Sequence, residues 1–387
     1  KDFLDYGNLL DNNLKEYSSS KLINFPNIKN DKIKIGFLSG DIRSSHSVTY
    51  FLKTVLDHYD KNKYEIILIL NQNVNDQTTD CFKNIFDKTI NIVDYDDIKA
   101  INEIRSLSLD FIYDLMGLTS TNRINLFKNR IAKKQIIWLG YCNTSGVKNM
   151  DYILADANLI YPEEEHLYSE KIIYLPEIWN CHSGIFYERK KNILPITNKG
   201  FITFGSFNNF NKINDEVVET WSNILKNVKN SRLFLKNSII KQSNARLKDK
   251  FKDKNVLESV FFLERERNFE DHLKVYENID IALDTFPYNG VTTSFEATWM
   301  GVPVLTMKGY NFNSRCGESI NKNLDLEYLI ANDKNDYISK AISLSNDITK
   351  LSNFREKIFN NCLKTSLFDT KKFSNDFFSI VENLNTK

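Results

Sequence analysis

The sequence predicts an α/β protein with two parallel β-sheets, each covered by helices on both faces. Short apolar segments alternate with polar helical spans along the chain, and the alternation occurs in two series. A charged, proline-bearing segment at 184–200 separates the two series. Strands that are apolar nearly throughout are typical of parallel sheets buried on both faces. A chain of 387 residues is long enough for two such domains.

The first series begins after a polar segment, 1–31, which we interpret as a helix and a linker. A helix is predicted at Thr49–Asp57, where apolar residues recur at helical spacing. Apolar, β-branched runs predict the strands of this series. They lie at 32–41, 64–70, 111–117, 133–141 and 150–156.

The second series has the same pattern and ends in a helical tail. Residues 216–228 carry apolar residues at spacings of three and four and are predicted to form a helix. The tail from Asp336 reads as two or three amphipathic helices. The strands of the second series are predicted at 200–209, 231–237, 260–265, 279–286 and 303–307.

Charge and composition exclude several classes of protein. The 51 basic and 50 acidic residues give a formal net charge of +1, so no polycationic surface for nucleic acid is expected. No apolar run approaches the roughly 18 residues that cross a bilayer, so we expect no membrane association. The five cysteines are widely spaced and include no CxxC pair. We therefore expect free thiols in a reducing cytoplasm, without a zinc site or a disulfide framework.

Four loops that follow predicted strands carry unusual polar residues. They are Ser39–His46, Asp114–Thr119, Ser206–Lys212 and Asp284–Thr293. Open α/β sheets bind ligands beyond the carboxyl ends of their strands, so these loops are the candidate site.

The loop in "DTFPYNGVTTSFEATWMGVPVLTM" predicts an anion site. Gly290 allows a ligand to approach the backbone, and Thr292 and Thr293 supply hydroxyl and amide donors at a predicted helix start. A phosphate or diphosphate is the expected ligand. The alternative is a helix that a threonine caps, with no ligand.

Lys212 and Glu296 fit the same ligand. A lysine in the loop of "FGSFNNFNKI" can supply the charge that a leaving diphosphate needs without a metal. Glu296, one turn after Thr293, is placed to accept ribose hydroxyls. The alternatives are a solvated lysine and a solvent-facing carboxylate.

Two histidines are further candidates. His46 lies on the first loop of the first series, where a near-neutral pKa suits proton transfer or sugar binding. His272 is placed to stack on a base or to cap a helix. For His46 the alternative is a packed or solvated histidine. The sequence contains no HExxH motif and no acidic pair at metal spacing on a loop, so we expect no metal and no cofactor.

Five motifs occur in order from about Lys32 to the C-terminus. They are "SGDIRSSHSVTYF", "DLMGLT", "IIWLGYCNTSGVKNMDYILAD", "FGSFNNFNKI" and "DTFPYNGVTTSFEATWMGVPVLTM". Together they resemble the catalytic region of glycosyltransferase family 41, the O-GlcNAc transferase-like enzymes that include the plant SPINDLY proteins.

The resemblance implies a GT-B fold, with two Rossmann-like lobes facing each other across a cleft and the nucleotide-sugar mainly on the second. The implied lobes are 32–190, on the acceptor and sugar side, and 200–345, on the nucleotide side. Residues 346–387 would then be C-terminal helices. A tetratricopeptide array usually precedes the catalytic region in this family and is absent from these 387 residues. Two alternatives stay open: a longer parent chain carries the array upstream, or the protein never had one.

The family's functional residues carry over by position. Lys212 corresponds to the diphosphate-contacting lysine, with Asn209 as a neighbouring polar ligand. Thr292 and Thr293 correspond to the phosphate-receiving pair, and Glu296 to a ribose-binding acid.

The base and sugar contacts carry over in the same way. His272 corresponds to the histidine near the base, which the segment of Arg267, Asn268 and Phe269 borders. His46 corresponds to a catalytic or sugar-contacting histidine. Thr119 and Gly140 are implied to line the sugar side.

The resemblance implies an inverting, metal-independent transfer of GlcNAc, fucose or a hexose from a UDP- or GDP-sugar to Ser or Thr of a protein. Val291 stands where the family often has histidine, so one phosphate donor is missing. Two alternatives stay open. One is a sugar-nucleotide 2-epimerase of the same architecture, which needs acids such as Asp41, Asp114 or Asp284 in its cleft. The other is a non-catalytic relative that binds nucleotide-sugar.

Overall fold

The computed structural model describes residues 1–17, 30–44, 46–185, 188–189, 193–266 and 268–386. Arg267, a predicted base-side residue, lies outside the described residues. The chain forms two compact units. Unit 1 comprises Lys1–Ser183 and Asp369–Lys387, and unit 2 comprises Gly184–Phe368.

Unit 1 is built on a parallel sheet. Its described strands are β1 (Ile33–Ser39), β2 (Tyr64–Leu70), β3 (Lys88–Asn91), β4 (Phe111–Asp114), β5 (Lys134–Ile137), β6 (Tyr152–Asp156) and β7 (Lys171–Leu175). They are ordered β3-β2-β1-β4-β5-β6-β7. All of their pairings are parallel. This is the order of a doubly wound Rossmann-like sheet.

Unit 2 repeats this topology. Its described strands are β8 (Thr203–Ser206), β9 (Arg232–Lys236), β10 (Val260–Leu263), β11 (Ile281–Leu283), β12 (Val304–Met307) and β13 (Ile330–Ala331). They are ordered β10-β9-β8-β11-β12-β13, again with parallel pairings. The prediction of two parallel α/β sheets is therefore confirmed.

Helices connect the strands and form the tail. In unit 1 they are α1 (Asp2–Asn13), α2 (Ser47–Leu56), α3 (Gln77–Ile85), α4 (Asp97–Ser106) and α5 (Ile124–Phe127). In unit 2 they are α6 (Pro195–Lys199), α7 (Asp215–Asn227), α8 (Lys241–Asp253), α9 (Phe269–Val275), α10 (Thr292–Trp299), α11 (Cys316–Lys322), α12 (Lys334–Asn346) and α13 (Ile348–Asn361). Helix α14 (Thr370–Asn385) follows and belongs to unit 1.

Helix α14 is part of the core of unit 1. Its Phe377 ring lies 5.1 Å from the rings of both Tyr113 and Trp138, which are buried on or next to strands of the sheet. The Phe378 ring lies 4.5 Å from that of Tyr64 on β2. Helix α14 thus covers the sheet of unit 1, although it follows unit 2 in the sequence.

The topology explains why the four polar loops matter. They follow β1 and β4 in unit 1, and β8 and β11 in unit 2. Each pair of strands is adjacent in its sheet, at the point where the strand order reverses. A crevice opens between two such loops, and ligands of doubly wound sheets bind there.

None of the helices in the described part of the chain is long and apolar enough to cross a membrane.

Candidate active site

Asp284 organises the loop between β11 and α10. Its carboxylate is buried and accepts hydrogen bonds from the Gly290 and Thr285 amides at 2.7 and 2.9 Å. The other oxygen accepts one from the Thr306 hydroxyl at 2.8 Å. Burial raises the pKa of the Asp284 carboxyl to about 6, although these hydrogen bonds and the nearby Lys212 oppose the rise. Asp284 therefore fixes the loop from within.

Gly290 allows this loop to pack closely against the loop after β8. A Cβ atom there would lie 2.5 Å from the Thr293 hydroxyl and 2.8 Å from the Asn208 side-chain oxygen. The Thr293 hydroxyl itself donates to that oxygen at 3.1 Å. From the sequence, Gly290 is predicted to let a ligand approach the backbone. In the structure it also lets this loop pack against Asn208 in the loop after β8.

The N-terminus of α10 has no side-chain cap. Val291 is its N-cap residue and forms no capping hydrogen bond, and the helix starts at Thr292. The alternative of a threonine-capped helix is therefore wrong. The first amides of a helix carry partial positive charge, so this helix end can receive an anion.

Lys212 joins the two loops of unit 2. Its ammonium donates to the Asn289 carbonyl at 2.7 Å and lies 4.0 Å from the centre of the Tyr288 ring. These contacts tie the lysine to the loop that Asp284 organises, so it is not simply solvated. Asn209 caps the short helical turn that contains Lys212, since its side chain accepts from the Asn211 amide at 3.0 Å.

Glu296 is buried, so the alternative of a solvent-facing carboxylate is wrong. Its exposed fraction is 5%. One oxygen accepts a hydrogen bond from the Tyr276 hydroxyl at 3.0 Å and lies 3.0 Å from Nε2 of His272. Nδ1 of His272 lies 2.8 Å from the Lys236 ammonium. A connected set of polar side chains thus surrounds the carboxylate.

One cleft of about 530 Å³ brings many of these groups together. It lies at the carboxyl ends of β8 and β9 and at the start of α10. The predicted residues that line it are Asn209, His272, Thr292, Thr293 and Glu296. Phe207 and Asn208 also line it; they belong to the predicted loop Ser206–Lys212 but were not singled out there. The sequence analysis missed Lys236, Asn237, Ser238 and Arg265, which line the cleft as well.

Other predicted residues lie next to this cleft or in supporting positions. Gly290 and Val291 shape the loop behind Thr292. Asn268 caps α9, because its side chain accepts from the Asp271 amide at 2.8 Å. Phe269 packs on the apolar cluster under α9 and α10. The structure therefore gives Asn268 and Phe269 supporting contacts, and their predicted role beside the base stays a prediction.

His46 lies at the start of α2 in unit 1. It is the N-cap residue, and its Nδ1 accepts a long 3.5 Å contact from the Val48 amide. Nε2 lies 3.5 Å from the Asp41 carboxylate. Burial lowers the pKa of the His46 imidazole below its usual value, Asp41 opposes this, and Arg43 adds to it.

Thr119 and Gly140 belong to neighbouring loops of unit 1. The Thr119 hydroxyl donates to the Met116 carbonyl at 2.9 Å. Gly140 passes so close to this segment that a Cβ atom would lie 1.9 Å from the Leu115 carbonyl oxygen. Asp114 holds the same turn by accepting from the Met116 and Gly117 amides at 3.0 and 3.1 Å. Burial raises the pKa of Asp114 to about 7.

Within the described residues, no group of three or more His, Cys, Asp or Glu side chains is arranged to hold a metal ion.

Two doubly wound parallel sheets, with the polar loops at their switch points, are the architecture of the GT-B fold. Comparison with solved structures agrees. Anabaena HepE in complex with UDP-glucose superposes with a TM-score of 0.60 over 92% of this chain and all of its own, at 12% identity. A Thermobaculum terrenum O-GlcNAc transferase mutant superposes with a TM-score of 0.88 at 28% identity, over 99% of this chain and 72% of its own.

The sequence comparisons identify the family. The model of glycosyl transferase family 41 matches residues 13–193 and 180–377. The chain belongs to this family, which confirms the resemblance. Two similar relatives are named as probable UDP-N-acetylglucosamine–peptide N-acetylglucosaminyltransferase SPINDLY. The Solanum lycopersicum protein is 32% identical over 90% of this chain, and the Arabidopsis thaliana protein is 32% identical over 84%. The chain spans 38% and 36% of their respective lengths.

Proposed function

We propose that this chain is the catalytic region of an inverting, metal-independent glycosyltransferase that acts on Ser or Thr hydroxyls of a protein. The donor is a UDP- or GDP-sugar that carries GlcNAc, fucose or a hexose. One observation carries the proposal: the uncapped N-terminus of α10 and the polar network around Glu296 line one cleft, with Lys212 fixed beside it. Family membership and the peptide-directed names of relatives support the same class of reaction.

The cleft has the groups that this donor requires. The α10 amides and the threonine hydroxyls at its start would receive the diphosphate. Lys212 would neutralise the charge that builds on the leaving diphosphate as the bond from the anomeric carbon to the phosphate oxygen breaks. Glu296 would accept hydrogen bonds from the ribose hydroxyls. The acceptor oxygen would attack the anomeric carbon from the opposite side, which inverts its configuration.

His46 would take the proton that the acceptor hydroxyl releases, or orient the sugar. A base must be neutral to accept a proton, and burial, which lowers the pKa of the His46 imidazole, favours the neutral form.

The epimerase alternative is not favoured. It needs a carboxylate or carboxylic acid facing the substrate. Asp114 and Asp284 are both buried and use their oxygens to hold their own turns. The Asp41 carboxylate is engaged by Arg43, His46 and the Thr121 hydroxyl.

The test of the proposed function is nucleotide release from UDP-GlcNAc, UDP-glucose and GDP-fucose, with and without a Ser/Thr peptide library. We expect peptide-dependent release of nucleotide from one donor, with sugar recovered on the peptide. Interconversion of the nucleotide-sugar without peptide would favour the epimerase. Binding without turnover of any donor or peptide would favour the non-catalytic relative.

We expect chelation to leave transfer unchanged. Lys212 and the α10 N-terminus supply the positive charge that a divalent ion supplies in metal-dependent transferases. The measurement is the initial rate with excess EDTA, against the same protein with added Mg²⁺ or Mn²⁺. A strict requirement for either ion would contradict this assignment of charge.

The pH profile of transfer should have an acid limb that belongs to His46. Because burial holds the His46 pKa below about 6.5, kcat should stay constant near neutrality and fall only below that pH. In Asp41→Asn the carboxylate that raises this pKa is gone, so the limb should move to lower pH. Measuring kcat from pH 5 to 8 at saturating donor tests both points.

His46→Gln is the control for this assignment. It should lower kcat and remove the limb. A limb that stays in place in both variants would show that another group titrates.

A further inference from the structure

The proposed function leaves Lys236 without a task. This residue ends β9 and lines the cleft, and sequence analysis gave it no role. Its ammonium is 2.8 Å from Nδ1 of His272. We propose that Lys236 is a positioning residue that acts through His272 to hold the Glu296 carboxylate ready for ribose hydroxyls. This inference rests on the proposed function and adds a residue to it.

The charge of lysine fixes the direction of each hydrogen bond. An ammonium group has three donors and no acceptor, so Nδ1 of His272 must be the acceptor. The neutral ring then carries its proton on Nε2. This proton is donated to Glu296 across the 3.0 Å contact.

The same Glu296 oxygen receives a second donor. The Tyr276 hydroxyl donates to it at 3.0 Å and also lies 3.2 Å from the Thr293 carbonyl. Burial, together with Glu296, raises the pKa of Tyr276 well above its usual value, so the hydroxyl stays a donor. With one oxygen held by two protein donors, the carboxylate has a fixed orientation and its other oxygen is left for ligand.

The surroundings of His272 reinforce this arrangement. The rings of Phe207, Phe269 and Tyr276 lie 5.9, 6.1 and 5.6 Å from the imidazole, which leaves little freedom for the ring. The exposed fraction of its side chain is 11%.

The charged groups near Lys236 are mixed in sign. Burial lowers the Lys236 pKa, Glu296 and Glu266 oppose this, and Arg265 adds to it. The imidazole of His272 thus lies between a cation at Nδ1 and a carboxylate at Nε2. The hydrogen bonds from Lys236 to His272 and from His272 to Glu296 therefore depend on the ammonium group of Lys236.

Removing the lysine should release the ring. In Lys236→Met, Nδ1 loses its donor while the apolar stem is retained. The imidazole is then fixed by Glu296 alone, so the ring can turn and populate the form with its proton on Nδ1, which cannot donate to Glu296. Lys236→Arg keeps a cationic donor and should preserve the arrangement. Lys241→Met removes an exposed lysine at the start of α8 and serves as the matched control.

The first measurement needs no activity. Nitrogen-15 NMR of the histidine rings at pH 7.5 reports the tautomer, and the loss of one signal set in His272→Gln assigns it among the five histidines. We expect a single Nε2-protonated form in the wild type, in Lys236→Arg and in Lys241→Met, and a mixture in Lys236→Met. An Nδ1-protonated ring in the wild type would overturn the inference.

The second measurement tests the contact between Glu296 and the ribose hydroxyls. Calorimetry compares UDP and GDP with their 2′,3′-dideoxy analogues. In the wild type, loss of the ribose hydroxyls should weaken binding about tenfold, as for one hydrogen bond to a charged group. In Lys236→Met the ribonucleotide should weaken by a similar factor while the dideoxy analogue is unchanged.

The outcomes separate the inference from the proposed function. If Lys236→Met weakens both nucleotide forms equally, or neither, Lys236 does not act through the ribose contact and the inference is wrong. If no nucleotide binds the wild type, the proposed function fails, and the NMR result still decides the tautomer.

Discussion

Replacing Lys212 with alanine should slow sugar transfer by about 10²–10³-fold, the cost of losing one preorganised charge donor at a transition state. The ammonium is held at 2.7 Å from the Asn289 carbonyl and over the Tyr288 ring, so its position is set before the donor binds. Because the charge on the diphosphate grows as the bond breaks, the loss should appear mainly in kcat. Single-turnover rates at saturating donor measure it.

Two controls make this prediction specific. Lys226→Ala removes an exposed lysine from α7 in the same unit and should leave kcat unchanged. Thermal unfolding of Lys212→Ala should stay close to that of the wild type, because the side chain is only partly buried. Near-normal turnover of a well-folded Lys212→Ala protein would remove Lys212 from the proposed mechanism.

Asp284→Ala should be the most destabilising change in the candidate site. It would leave the buried amides of Gly290 and Thr285 and the Thr306 hydroxyl without their acceptor. A buried donor without a partner costs about 1–3 kcal/mol, so we expect a loss on the order of 3–5 kcal/mol in the free energy of unfolding. Urea denaturation measures this loss, and nucleotide binding should fall with it because the loop supports Thr292.

Asp284→Asn separates shape from charge. The amide oxygen can still accept from the backbone, so we expect a smaller loss of stability than for alanine.

The pH dependence of the free energy of unfolding is a second test of Asp284. The folded-state pKa of about 6 lies above the unfolded value, so wild-type stability should fall as pH rises from about 4 to about 6.

The asparagine variant should lack this part of the slope. Asp253→Ala, at the exposed end of α8, is the surface control. Equal stability of Asp284→Ala and this control would mean that the loop does not depend on Asp284.

The strands that are buried along most of their length could be predicted from the sequence. The predicted strand at 64–70 coincides with β2, because six of its seven residues are apolar or aromatic and buried, which leaves a nearly continuous apolar run in the sequence. The strands β3, β7 and β13 were not predicted. The first two are only partly buried, and β13 has two residues, so none has a long apolar run. The assignment of α14 to unit 1 also had no local signal, since a helix pattern does not specify which sheet it covers.

The candidate site was predictable where residue chemistry and strand ends coincide. The Thr292–Thr293 helix start and Lys212 were selected on that basis, and the structure places both at the switch point of unit 2. Lys236 was missed because it closes an ordinary strand in a chain rich in lysine. Tyr276 was missed because its hydroxyl meets Glu296 only after α9 and α10 pack together. Such pairings depend on tertiary contacts that spacing along the sequence does not encode.

The return of α14 to unit 1 affects how the protein can fold during its synthesis. Unit 2 is one continuous segment, Gly184–Phe368, whereas unit 1 needs residues from both sides of it. Domains commonly fold in the order in which they leave the ribosome. Here the nascent first sheet emerges early but lacks the Phe377 and Phe378 rings that cover Tyr113, Trp138 and Tyr64. Unit 2 can therefore finish first, and the long-range contacts of α14 make completion of unit 1 the later and slower step, during which the apolar surface of its sheet stays uncovered.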